Sequence, residues 1–195
     1  MNRIALLFLL VGAAFMPQAC SSKKKADSQP IDSLAAAIPG PGVDYAPEAM
    51  PARLAALGLT RDSHWRGVNL GDAFSVVKEK EKGQPFESDA RHVGYTVEFP
   101  NLETADMLYY QSGGNVSAIE VDLFLNNRQS VDQYRKELEP YFTTRYGTPK
   151  TADGAMTWTG STGEQLSLKD VSKGKDFGLK IKIQPIGGPV TASAK

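Results

Sequence analysis

A second cysteine, an excess of either charge and, past the first twenty residues, any long apolar run are all missing from this chain of 195 residues. With Cys20 as its one cysteine the fold has no internal disulfide, so a hydrophobic core has to hold it together. Its 22 basic side chains balance 22 acidic ones, and without a basic stripe to neutralise phosphates, nucleic acid is not an expected partner. Only two histidines occur, His64 and His92; they fit neither an HExxH motif nor a paired ligand spacing, and no thiolate set for zinc is present. No glycine-rich loop precedes a helix to hold phosphate, because the glycines fall after helical stretches or in hairpins. Ser161 lies between Gly160 and Gly163, but that spacing is not a Gly-x-Ser-x-Gly elbow and no long helix follows, so the stretch reads as a turn. Acid pairs such as Asp62 with Glu98, or Glu120 with Asp122, lack the unlike environments that general acid–base work needs. The expectation is a non-enzymatic protein with no metal and no cofactor.

What is present begins at the N-terminus. Residues 1–19 read as a secretion signal: Arg3 supplies the charge, residues 4–16 the apolar stretch, and Ala19 the small residue before the cut. The stretch is too short for a helix across ~30 Å of hydrocarbon, and Pro17 and the following lysines fit a processed signal better than an anchor. Pro17, Gln18, Ala19 and Cys20 resemble the lipobox of bacterial lipoproteins; Ala19 and Cys20 match, while Pro17 and Gln18 depart from the usual Leu and Ala or Ser. The resemblance implies that Cys20 is lipidated and becomes the mature N-terminus, held in the membrane by more than one acyl chain at ~0.8 kcal/mol per buried methylene. It also implies a place in the bacterial cell envelope, on the periplasmic side of the outer membrane, with which Ser21 is compatible. The alternative is an ordinary secreted protein with one leftover thiol.

Residues 20–63 change composition, with Pro30, Pro39, Pro41, Pro47 and Pro51 breaking any long helix. They read as a tether that lets a domain stand off the bilayer. Within it, residues 51–57 can form a short helix, with Pro51 at its first position and Gly58 at its stop, which would let Leu54, Leu57 and Leu59 dock on the domain. Lys23, Lys24 and Lys25 either meet anionic headgroups or form a solvated start to the linker.

Residues 64–186 read as one globular α+β domain, followed by a disordered tail over 187–195. A helix is expected over residues 72–82 with Phe74 and Val77 on one face, stopped by Gly83-Gln84-Pro85. Three alternating segments follow: Val93, Tyr95, Val97 and Phe99 on one side of the first, residues 107–111 in the second, and Ile119, Val121, Leu123 and Leu125 in the third. The order then recurs. A helix over 130–146 presents Val131, Tyr134, Leu138, Tyr141 and Phe142, stops at Gly147-Thr148-Pro149, and precedes strands around Trp158, around Leu166 and Leu168, and over residues 177–184. Gly113-Gly114 and Lys173-Gly174 fall at corresponding hairpins. The pattern is a duplicated αβββ unit, giving an antiparallel six-stranded sheet with two helices on its apolar face, a two-layer sandwich.

The other face of that sheet would be acidic in one half, with Glu98, Glu120 and Asp122, and basic in the other, with Lys169, Lys180 and Lys182. These are either solvated pleat positions with cross-strand ion pairs or a recognition surface, and Phe124, with Leu108 or Tyr110 by the same parity, favours recognition of a protein partner. Leu70, Gly71, Asp72, Gly83, Pro85 and Tyr95, and again Gly147, Pro149 and Trp158, resemble the small bacterial lipoproteins of the outer-membrane assembly type and β-lactamase-inhibitor-like domains. In those families helices pack on an antiparallel sheet and the work is protein binding, which the resemblance implies here. The expected function is therefore a lipid-anchored envelope protein that binds another envelope protein, in envelope assembly. The alternatives are an inhibitor or immunity lipoprotein acting on an enzyme through a loop, residues 99–105 or 159–164, and a small-ligand carrier.

Overall fold

The computed structural model describes residues 50–188. The expected signal over 1–19, Cys20, the lysines after it, the part of the expected tether before Met50 and residues 189–195 lie outside the described residues.

The short helix expected over residues 51–57 forms. Helix α1, Ala52–Ala56, starts after Pro51 and ends where Gly58 takes a positive φ of 76°, with the Leu59 N–H donating back to the Leu54 carbonyl. Leu54, Leu57 and Leu59 are all buried in the core, which moves the start of the domain to about residue 50. The three leucines dock on the domain as expected: their burial contributes roughly 1.5–3 kcal/mol each, enough to hold a five-residue helix that would not form alone.

Helix α2, Ser75–Lys80, is shorter than the periodicity predicts. The missing first turn has a specific cause. Residues 71–74 pair with the tip of a hairpin: Gly71 N–H donates to the Val116 carbonyl, Phe74 N–H to Gly114, and Val116 N–H to Asp72. The Asp72 carbonyl, which a first helical turn would use, is therefore already taken. At its other end Glu81 is already extended and buried.

Eight strands follow in two sets: β1 Glu87–Ser88, β2 His92–Glu98, β3 Thr104–Ser112 and β4 Asn115–Leu125, then β5 Lys150–Ala152, β6 Ala155–Thr159, β7 Glu164–Asp170 and β8 Phe177–Pro185. Between the sets runs helix α3, Arg128–Tyr146, capped by the Asn127 side chain, which accepts from Ser130 N–H. All strands join one antiparallel sheet in the order β1-β2-β3-β4-β8-β7-β6-β5. The order reads the same from both ends, so each unit is one helix and four strands, joined where β4 meets β8. The six expected strands gain β1 and β5 at the two edges, each directly after the Gly-x-Pro that stops its helix. Asp153 and Gly154, at φ 51° and 73°, make the tight β5–β6 hairpin.

One face of the sheet is dry. Val93, Tyr95, Met107, Tyr109, Ile119, Val121 and Leu123 meet Leu166, Leu168, Leu179, Ile181 and Ile183 under the buried side of α3, namely Val131, Tyr134, Leu138 and Phe142. Phe142 packs against Trp158 with ring centroids 5.5 Å apart and the planes tilted by 59°. Among the described residues α1, α2 and α3 all contribute to this one core, so the alternation of the strands leaves the opposite face of the sheet to the polar residues.

Candidate functional site

The polar face is best read in cross-strand rows, because side chains at registered positions stand beside one another. In the central row Thr96, Asp106, Asp122, Lys180, Lys169 and Ala155 lie side by side across β2, β3, β4, β8, β7 and β6. A second row holds Gly94, Leu108, Glu120, Lys182, Ser167 and Thr157. A third places Phe124 between Thr104 and Gly178. Four of the expected residues meet at the β4–β8 seam: Lys180 Nζ is 2.7 Å from Asp122 Oδ2 and 3.5 Å from Glu120 Oε2, and Lys182 Nζ is 2.7 Å from Glu120 Oε1. Lys169 is exposed beside Lys180, Glu98 is exposed at the end of β2 opposite Thr104, and Phe124 is 53% exposed. Tyr110 stands on the same face, half-buried, its ring 5.5 Å from that of His92. Its hydroxyl is pushed up to about 12 by burial, with the carboxylates of Glu120, Glu87 and Asp122 adding to the effect.

Sequence reasoning missed Phe86. Its ring lies over Gly94, where a Cβ would sit 2.5 Å from a ring atom, and it remains 49% exposed. The one available signal was Gly94 itself, since a glycine inside an alternating strand marks close approach of another group. Glu87, beside Phe86, is 2.7 Å from His92 Nε2. The first half of the face is thus aromatic and acidic and the second half is lysine with small residues.

Of the acid pairs, Asp62 and Glu98 are not brought together. Asp62 is an exposed loop residue and Glu98 a strand end. Glu120 and Asp122 are both held by Lys180. Ser161 is an exposed turn residue. His64 is better placed: with Leu70, Gly71, Thr162, Gly163, Glu164 and Pro185 it lines a cavity of about 270 Å³. That is below the usual ~300–1,000 Å³ of ligand pockets. Its Nδ1 accepts from the Leu70 N–H at 3.1 Å, so Nε2 carries the proton and points to Glu164 Oε1, 3.8 Å away. Neither nitrogen of the neutral ring keeps a lone pair for a substrate, which a general base requires.

A buried ion cluster was also invisible in the sequence. Glu81 accepts from Arg66 Nε through both oxygens, at 2.9 and 3.0 Å, and from the Tyr109 hydroxyl. Burial and the Glu81 charge hold the Tyr109 hydroxyl well above its ordinary value. The cluster ties the segment after α1 to β3.

No protein-family model, curated protein or solved structure matches the chain.

Proposed function

We propose that this is a lipid-anchored, non-enzymatic protein of the bacterial envelope that binds protein through the open face of its sheet. The observation that carries the reading is the exposed pair Phe86 and Phe124, set on a face already ordered by the Glu120, Asp122, Lys180 and Lys182 ion pairs. Two half-exposed phenylalanines on a rigid sheet with a charged surround have the composition of an interface anchor and rim. The lipid anchor rests on the lipobox resemblance at Cys20, and the outer-membrane, periplasm-facing location on Ser21.

The test is a photo-crosslinking residue at position 124 in the native envelope, with one at the exposed Lys136 of α3 as control. Position 124 should give a discrete protein adduct and position 136 none, and Phe124→Asp should release the partner on co-purification. An unchanged complex removes the face from the reading. Growth with a labelled fatty acid should mark the wild type and not Cys20→Ser; a label-free protein in the soluble fraction overturns the anchor.

One observation favours the inhibitor reading as the second choice. Leu102 is 89% exposed at the β2–β3 tip with φ 65°, in a loop closed by the Phe99 N–H to Glu103 carbonyl bond and by the Asn126 side chain on the Asn101 carbonyl. A large apolar residue held in that conformation is unusual for a plain turn. If that loop is the working part, deleting residues 99–105, rather than Phe124→Asp, abolishes binding.

A further inference from the structure

The charges of the central row run acid, acid, base, base: Asp106, Asp122, Lys180, Lys169. Within one molecule this order is poor. Only the Asp122–Lys180 step joins opposite charges; Asp106 stands directly beside Asp122 and Lys169 directly beside Lys180, and like charges opposite one another on a sheet are destabilising. The order is, however, antisymmetric about the β4–β8 seam, and so is the shape of the face. On the β4 side stand Phe124 and Leu108, and at the corresponding places on the β8 side stand Gly178 and Ser167.

We infer that the open face pairs with a second copy of this chain, about a two-fold axis that lies between the two faces and runs parallel to the strands along the β4–β8 seam. That operation exchanges the two halves of the face and keeps each row in place. Asp106 then faces Lys169 of the second copy and Asp122 faces its Lys180, while Glu120, only 5% exposed, stays paired with Lys180 and Lys182 of its own molecule. Phe124 faces the position of Gly178, a buried glycine with Val171 beside it, and Leu108 faces Ser167, so the larger side chains of each copy meet the smaller ones of the other. Each contact occurs twice, as a two-fold interface requires. The strands of the two sheets run nearly parallel, within the ~30° of aligned sheet packing.

The size of the face fits this occupant. At ~4.8 Å per strand and ~3.3 Å per residue, the six longer strands present roughly 650 Å² per copy, or roughly 1,300 Å² in total, within the ~1,200–2,000 Å² of specific interfaces. The charge pattern argues for a copy of the same chain over an unrelated partner, since a uniformly basic partner would suit only the first half and an acidic one only the second. This inference rests on the reading of the open face as the binding surface and names its occupant.

The experiment uses two charge reversals, Asp106→Lys and Lys169→Asp, in the full chain carrying Cys20→Ser, with mass read by sedimentation equilibrium. The parent chain should be a dimer. Each variant alone sets like charges opposite one another twice and should raise the dimer dissociation constant roughly tenfold or more, while an equimolar mixture of the two should restore the dimer. Recovery in the mixture cannot come from repair inside one molecule, where the two positions are three strands, or ~14 Å, apart. Variants that dimerise as the parent does, or a mixture no tighter than its components, overturn the inference. A parent chain that stays monomeric overturns it too, and the position-124 crosslink then separates the cases. An adduct to a different polypeptide leaves the face as a binding surface for another partner, whereas no adduct removes the face as well.

Discussion

Residues 75–125 and 128–185 pass through the same succession of elements, one helix and four antiparallel strands, yet their helices have 6 and 19 residues. The second half closes its side of the core with four buried residues of one long capped helix. The first half offers one fully buried residue of its helix, Val77, and the segment before it adds Leu54, Leu57, Leu59, Trp65 and Val68 to the common core. A sheet of this symmetry needs apolar cover on both halves, and the chain before the first unit adds to that cover. The two helix ends even hold that segment by opposite means. Glu81, two residues before Gly83, receives Arg66, whereas Arg145, two residues before Gly147, donates to the Thr60 and Ser63 carbonyls.

The comparison breaks first in the helices. Phe142→Ala removes a ring packed on Trp158, Tyr141 and Tyr146 and should cost about 3–5 kcal/mol, against about 2 kcal/mol for Val77→Ala. Urea unfolding of the full chain measures both. Equal losses would show that α2 carries as much of the core as α3, contrary to the division described.

The next largest effect lies in the two clamps. Glu81→Gln leaves the Arg66 guanidinium without its counter-charge, and Tyr109 keeps only a neutral acceptor, for a cost of about 3 kcal/mol. Arg145→Gln removes a charged donor from two backbone carbonyls, one of which still receives the Tyr141 hydroxyl, and should cost about 1–2 kcal/mol. The same urea titrations rank them, and the reverse order would mean that the second half holds the segment more firmly than the first.

These contrasts also mark what sequence can convey. The six long strands and α3 were legible because one-sided burial writes itself as a period of 2 or 3.6, as in Leu179, Ile181 and Ile183 or Val131, Tyr134 and Leu138. Strands β1 and β5 were not, since Glu87, Ser88 and residues 150–152 are exposed and carry no alternation. The late start of α2 was hidden because what displaces its first turn, Val116 and Gly114 at the β3–β4 hairpin, lies some forty residues on and acts through backbone groups. The face was legible in membership, as Glu120, Asp122, Lys180 and Lys182 do meet, but not in register. Only the pairing of β4 with β8 turns scattered charges into a row.

The smallest expected effect sharpens how the two halves are joined across the edge of the core. His64 comes from the segment before the first unit and faces Glu164 of the second, with Arg145 and Asp72 nearby. Burial foremost, then the Arg145 charge, hold the imidazole below its ordinary value, while Glu164 and Asp72 pull the other way. In the unfolded chain it protonates below about pH 6.5, so in the window beneath that value the unfolded state binds more protons than the native one. The neutral ring's contribution is fully present above about pH 6.5 and is lost as pH falls, with a slope of at most ~1.4 kcal/mol per pH unit for one proton. His64→Gln keeps an acceptor for the Leu70 N–H and has no charge to gain. Its stability, from urea titrations on either side of about pH 6.5, should fall less on acidification than the parent's. Identical pH profiles would mean that His64 protonates as easily in the fold as outside it, and that the junction between the leading segment and the second half is open to water at that point.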